Sequence, residues 1–129
     1  MLQLLKVQHI AIICSNYELS KSFYTTILGF EILDEEYRDE RNSNKIELAL
    51  NGNYIIELFS FPNPPDRLSF PEATGLRHIA FEVANLDESI RFLYNNKIHC
   101  EPVRINTTNG KRFTFFNDPD NLPIELCEK

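Results

Sequence analysis

With 129 residues, 43% hydrophobic and 12% aromatic, the chain can bury the core of one compact domain. A net charge of −6 counts against nucleic acid as a partner, and no run of like charge is long enough to form a tail. Met1 to Val7 is too short and too interrupted for a signal peptide or membrane span, and the odd set Cys14, Cys100 and Cys127 reads as reduced thiols, so a cytoplasmic protein is expected.

In chain order, residues 5–13 alternate with β-branched character and predict a strand. Ser15-Asn16 offers an N-cap, Glu18 falls in the first turn, and Leu19, Phe23 and Ile27 follow at helical spacing before the stop at Gly29. Phe30 to Leu33 begins a second strand. Lys45 to Leu50, the turn pair Asn51-Gly52 and Tyr54 to Phe59 predict a hairpin. The second half repeats this β-α-β-β-β order: Leu76 to Val83 as strand, Asn85 to Asn95 as helix, Ile98 to Arg104 as strand. Arg112 to Phe116 and Leu122 to Cys127 then form a hairpin around the turn-rich Asn117 to Asn121. The expected organisation is one domain over 1–129. Its modules span about 5–61 and about 75–128, and a proline-rich linker, about 62–74, is expected to pack across the molecule or along a dimer contact, so that Phe61, Leu68 and Phe70 do not dangle in water.

The repeat extends to individual residues. Gln8-His9-Ile10-Ala11 returns as Arg77-His78-Ile79-Ala80, an offset of 69 from His9 to His78. Ile56-Glu57-Leu58 returns as Ile124-Glu125-Leu126, an offset of 68 from Glu57 to Glu125. Matched positions of this kind report architecture. Taken singly, a histidine in a strand is more often a hydrogen-bonded core or edge residue, and a glutamate more often faces water. Four such residues at matched positions inside apolar strands suit a divalent metal site better, because a buried carboxylate is costly unless paired or metal-bound. Two imidazoles and two carboxylates form a hard-to-borderline set that accepts Ni, Zn, Mn, Co or Fe as the divalent ion. His99 has no repeat partner and is left as a surface or strand-edge histidine.

These segments resemble the vicinal oxygen chelate superfamily, whose best-known enzyme is glyoxalase I. The carriers are His9-Ile10-Ala11, Ser22-Phe23-Tyr24 to Leu28-Gly29-Phe30, Ile56-Glu57-Leu58, Arg77-His78-Ile79-Ala80-Phe81 and Asn117-Asp118-Pro119-Asp120-Asn121 through Ile124-Glu125-Leu126. The resemblance implies an α+β fold of two tandem βαβββ modules forming a partial barrel around a metal. It implies His9, Glu57, His78 and Glu125 as the metal ligands. It further implies a metal-dependent lyase or isomerase acting on a small vicinal-oxygen substrate through a metal-stabilised enediolate, with Glu125 as the leading proton shuttle and Glu57 in the mirror role. A homodimer is expected, with the site completed within one chain or across two.

Particular positions narrow the expectation. Glyoxalase I binds glutathione through an Arg four residues after the first ligand and an Asn four residues after the first Glu. Those positions are Ile13 and Phe61, both apolar, which counts against glutathione dependence. Arg38, Arg41, Arg77, Lys111 and Arg112 are the alternatives for holding an anionic substrate, although strand alternation turns Arg77 away from the face of His78. The strand around Glu47 resembles that of methylmalonyl-CoA epimerase, so Glu47 and Glu125 are candidate bases for epimerisation. A two-residue loop at Asn51-Gly52 puts Glu47 on the face opposite Glu57, and a three-residue loop puts them side by side. Dioxygenases and fosfomycin-resistance enzymes of the superfamily use two His and one Glu, which disfavours them here. A non-catalytic protein that binds a drug or metabolite is the remaining alternative.

Overall fold

The computed structural model describes residues 1–129, which fall into two compact units, Met1–Pro65 and Asp66–Lys129. The first unit contains strands β1 (Ile10–Cys14), β2 (Glu31–Arg38), β3 (Ser43–Leu50) and β4 (Asn53–Ser60), in the spatial order β1-β4-β3-β2. β1 runs parallel to β4, and the other neighbours are antiparallel. Helix α1 (Tyr17–Ser22) starts where Asn16 leaves the extended strand and its side chain accepts the Leu19 N–H at 3.1 Å. The helix then widens into π turns over Phe23–Ile27, where the Leu28 N–H reaches the Phe23 carbonyl at 3.0 Å and Phe23 and Tyr24 are buried.

The second unit contains β5 (Ile79–Val83), α2 (Leu86–Asn95), β6 (Arg104–Ile105), β7 (Arg112–Asn117) and β8 (Pro123–Glu128), with strand order β5-β8-β7-β6. Asn85 caps α2 by accepting the Glu88 N–H at 3.0 Å, as Asn16 does for α1. The chain is therefore α+β, with two four-stranded mixed sheets in tandem βαβββ order, the fold class its sequence implies.

In both sheets the even positions of the central hairpin form the core. Ile46, Leu48, Ile56 and Leu58 are fully buried in the first unit, and Thr114, Phe116, Ile124 and Leu126 are buried in the second. Each of the large aliphatic side chains contributes about 1.5–3 kcal/mol by leaving water. The odd positions, including Glu57 and Glu125, point to the opposite, half-exposed face.

Some expectations on element extent are corrected. Residues 1–9 lie outside any strand and are exposed, so β1 starts at Ile10 and His9 is the residue just before it. His78 stands in the same place before β5. The sixth strand shrinks from the expected 98–104 to two residues. Pro102 has no N–H to give a ladder, and the preceding stretch is held at one point, where the Glu101 N–H donates to the Phe115 carbonyl at 2.8 Å and the Thr114 hydroxyl to the Glu101 carbonyl at 2.6 Å. In the linker, Leu68 and Phe70 are 64% and 82% exposed, so of the two expected placements packing across the molecule does not cover them.

The β3–β4 turn places Asn51 at φ 51° and Gly52 at φ 79°, the two positive values of a type I′ hairpin. Nothing lies within 4 Å of where a Gly52 side chain would start, so only the backbone resists substitution there. Gly52→Ala is therefore expected to destabilise the protein by about 1 kcal/mol, read from urea denaturation followed by circular dichroism, and Gly52→Val by more. An unchanged midpoint for both variants is incompatible with this turn.

Candidate metal centre

Glu57 sits mid-strand in β4, paired with Ala11 of β1 on one side and Glu47 of β3 on the other. The Nε2 of His9 is 3.7 Å from Glu57 Oε1. The other ring nitrogen, Nδ1, is hydrogen-bonded to the Gln8 side-chain oxygen. Tyr54 supports both partners. Its ring stacks on His9 with centroids 5.0 Å apart, and its hydroxyl donates to Glu57 Oε2 at 2.8 Å. Burial first, and then the Glu57 carboxylate, push the Tyr54 phenol well above its ordinary range, so it stays a donor.

The turn resolves the two alternatives for Glu47 in an unexpected way. The loop has two residues, Leu50 pairing with Asn53, yet Glu47 lies directly beside Glu57. Ala49 pairs with Tyr54 while Leu48 pairs with Ile56, so Ile55 is an extra residue that flips the face of everything before it. The same bulge brings Tyr54, three positions before Glu57, onto the face of that carboxylate. Lys45 completes the group, its Nζ 3.5 Å from Glu47 Oε1 and 3.8 Å from Glu57 Oε2.

In the second unit, Glu125 of β8 pairs with Ala80 of β5 and with Phe115 of β7. His78 Nε2 lies 3.1 Å from Glu125 Oε2, and its ring meets Phe115 edge-on at 5.1 Å. Here no bulge intervenes, and the addresses held by Lys45 and Glu47 in the first unit are filled by Phe113 and Phe115. Arg77 does not turn away from His78 as alternation alone predicts: its Nη1 is 3.1 Å from His78 Nδ1, and its Nε donates to Glu72 at 2.7 Å. Both residues precede the first ladder pair of β5, so the strand rule does not govern them. Cys127 lies on the Glu125 face, but burial and then that carboxylate push its thiol up, and burial does the same to Cys100, so neither is a ready thiolate.

The remaining sequence candidates are placed differently. Arg112 is engaged by Glu128 at 2.7 Å and Asp87 at 3.1 Å, which makes it a tie between α2 and the sheet. Arg38 and Arg41 lie over the rings of Phe59 and Phe61, at 5.0 and 5.5 Å. His99 is exposed and outside any strand.

The donor set suits a divalent ion. Two ligands each about 2.1 Å from a metal and at right angles are about 3.0 Å apart, and a wider angle separates them further. The nitrogen–oxygen spacings of 3.1 and 3.7 Å fall in that range. No three or more His, Cys, Asp or Glu side chains come together to hold a metal ion; each unit presents one histidine–glutamate pair.

The chain belongs to the Glyoxalase/Bleomycin resistance protein/Dioxygenase superfamily, whose family model matches residues 6–126. It is 57% identical over 123 residues to the uncharacterized protein YwkD of Bacillus subtilis, covering 95% of this chain and 96% of that one. It is 55% identical to the uncharacterized protein YaeR of Escherichia coli K12 over the whole of both chains. A glyoxalase family protein from Enterococcus faecalis, known from its crystal structure, is 46% identical and superposes with a TM-score of 0.89, covering 95% of this chain and 97% of that one. The superfamily includes enzymes such as glyoxalase I and fosfomycin-resistance proteins, and its members generally use divalent metal ions. No helix of the chain is long and apolar enough to cross a membrane.

The position of Glu125 depends on the turn that leads into β8. Asp118 is 5% exposed, and its Oδ1 accepts the N–H groups of Asp120 and Leu122 at 2.8 and 2.9 Å. Removing a buried acceptor that serves two donors strands both. Asp118→Ala is expected to lower stability by about 2–3 kcal/mol, and Asp118→Asn by clearly less because the acceptor oxygen is retained. Equal losses for the two variants in denaturant titrations contradict this role for the carboxylate.

Proposed function

We propose that the protein is a metal-dependent lyase or isomerase of the glyoxalase type, acting on a small substrate with neighbouring oxygens. His9, Glu57, His78 and Glu125 are the proposed ligands. The observation that carries the reading is the recurrence, at equivalent addresses in two sheets, of a histidine Nε2 facing a glutamate carboxylate at 3.7 and 3.1 Å. A homodimer is the proposed assembly, the ligand set being completed within one chain or between two, and the free cysteines suit the cytoplasm. The metal is Ni, Zn, Mn, Co or Fe as the divalent ion. Bound there, it supplies Lewis acidity toward two neighbouring substrate oxygens.

The chain's own residues divide the remaining work. Glu57 is held by the Tyr54 hydroxyl, with the Lys45 ammonium nearby, which fixes its orientation and occupies Oε2. Glu125 has no hydroxyl or ammonium partner of this kind; its neighbours are His78 and the Cys127 thiol. Of the two, Glu125, whose donors are a thiol and His78 and not a phenol, is the proposed acceptor of a proton from carbon, and Glu57 is the positioned partner. Ile13 and Phe61 give glutathione no polar contact at the positions where the glyoxalase I pattern has them, so a smaller substrate is favoured.

A second reading is favoured by the register. With Glu47 on the face of Glu57 and 3.5 Å from Lys45, a further carboxylate is available as a base, as an epimerase requires.

The deciding experiment is metal stoichiometry by elemental analysis after loading with each candidate ion. Native protein is expected to retain one ion per ligand set. Glu57→Gln and Glu125→Gln are each expected to weaken binding at least about tenfold, and Tyr54→Phe about tenfold through loss of the supporting hydrogen bond. Protein that retains no ion after reconstitution sinks the catalytic reading and leaves a non-catalytic small-molecule binding protein in its place.

A further inference from the structure

The loops of the second unit enclose a cavity of about 690 Å³, the size of a small-molecule site. Phe115 and Pro123 form apolar wall, and Asn117 and Asn121 contribute amides. The charged lining is three arginines, Arg67, Arg77 and Arg104, against two glutamates, Glu72 and Glu101. In a protein of net charge −6, this is a local reversal of sign.

Arg67 is committed to the backbone. Its Nη2 donates to the carbonyls of Leu76 and Arg77 at 2.9 and 3.0 Å, and its Nε donates to Ser69 at 2.9 Å. Arg77 and Arg104 are not committed in this way. Each has one carboxylate partner, Glu72 at 2.7 Å and Glu101 at 3.1 Å, and all four of these side chains are more than half exposed. Ion pairs so exposed are weak and exchange readily with a competing anion. A guanidinium carries five N–H donors, so both arginines keep donors beyond these contacts.

Position gives the arginines a purpose. The Arg104 guanidinium lies 5.1 Å from the Phe113 ring centre and 5.5 Å from that of Phe115, which holds a long side chain in place. His78 meets the same Phe115 ring edge-on, and Phe115 is the cross-strand partner of Glu125. Arg77 touches the other ring nitrogen of His78. Arg77 therefore contacts His78 directly, and Arg104 lies on the Phe115 ring that His78 also meets.

We infer that this cavity binds an oxyanion group, carboxylate or phosphate, with Arg77 and Arg104 exchanging Glu72 and Glu101 for it. Asn117 and Asn121 serve as neutral donors. The substrate class is then a small organic acid or phosphate ester whose neighbouring oxygens extend from the cavity, past Arg77 and Phe115, to the His78–Glu125 pair beyond its lining. That assignment of class deepens the proposed function and rests on it; the anion site itself does not.

The test is calorimetric titration of chelator-treated full-length protein with malonate and, separately, with inorganic phosphate. At least one probe is expected to bind in the millimolar range or better, and the tighter one identifies the group as carboxylate or phosphate. Arg77→Gln and Arg104→Gln are each expected to weaken binding about tenfold, while Lys97→Gln leaves it unchanged. Glu72→Gln and Glu101→Gln remove the competing carboxylates and are expected to tighten binding severalfold, a gain that a poorly folded variant does not produce. Absence of binding by both probes, or binding indifferent to both arginines, or weakened by both glutamate variants, overturns the inference. Because no metal is present, a failure to load metal leaves this result standing. Absence of anion binding in protein that does load metal rejects the anion site alone.

Discussion

The candidate centre depends on the two-residue period of a strand. A strand that buries Ile56 and Leu58 must turn Glu57 to the other face, and one that buries Ile124 and Leu126 must do the same with Glu125. Parallel pairing then sets a second coordinate. β1 and β5 lay Ala11 and Ala80 beside these glutamates, so a histidine two positions earlier comes level with the carboxylate from the entrance of the strand. The alanines keep that approach open. The glutamate side chains are only 15% and 16% exposed, and a carboxylate so placed needs compensating partners. The hydrophobic core and the polar pair are thus two consequences of one register.

Much of this was legible before any coordinates. Alternation identified the central hairpins, asparagine caps marked both helix starts, and the internal repeat paired His9 with His78 and Glu57 with Glu125. What escaped was whatever breaks a period. Glu47 and Tyr54 share the Glu57 face only because Ile55 is bulged out, and nothing in the run from Tyr54 to Phe59 announces a bulge; a two-residue turn by itself argues the reverse. Lys45 had a weak signal, since it shares a strand face with Glu47. Arg77 lies two residues before the ladder begins, where strand alternation does not set the direction of a side chain. Arg104 and Phe115 gain meaning through Glu101, whose single backbone bond to Phe115 attaches the irregular stretch before β6 to β7. That contact between distant residues has no local sequence signature.

The departure from repeat symmetry bears directly on mechanism. Equivalent backbone addresses carry Lys45 and Glu47 beside Glu57, but Phe113 and Phe115 beside Glu125. The first glutamate has a hydroxyl and an ammonium in contact or close by; the second has aromatic walls and a neutral thiol. A carboxylate that must stay in place is served by strong directional donors such as a phenol, whereas a weak thiol donor and aromatic surfaces restrain less a carboxylate that must swing toward a carbon acid. On the proposed reading, duplication supplied two equal halves of a ligand set, and later divergence at Lys45, Glu47 and the bulge that brings in Tyr54 separated the holding glutamate from the moving one. The arginines on the Phe115 side extend the same division. On that reading they lie where a substrate anion is drawn toward Glu125, whereas the cation beside Glu57, Lys45, is already shared between two glutamates. On the proposed reading, direction of substrate entry and identity of the base trace to the same asymmetry, one that a symmetric pair of modules lacks.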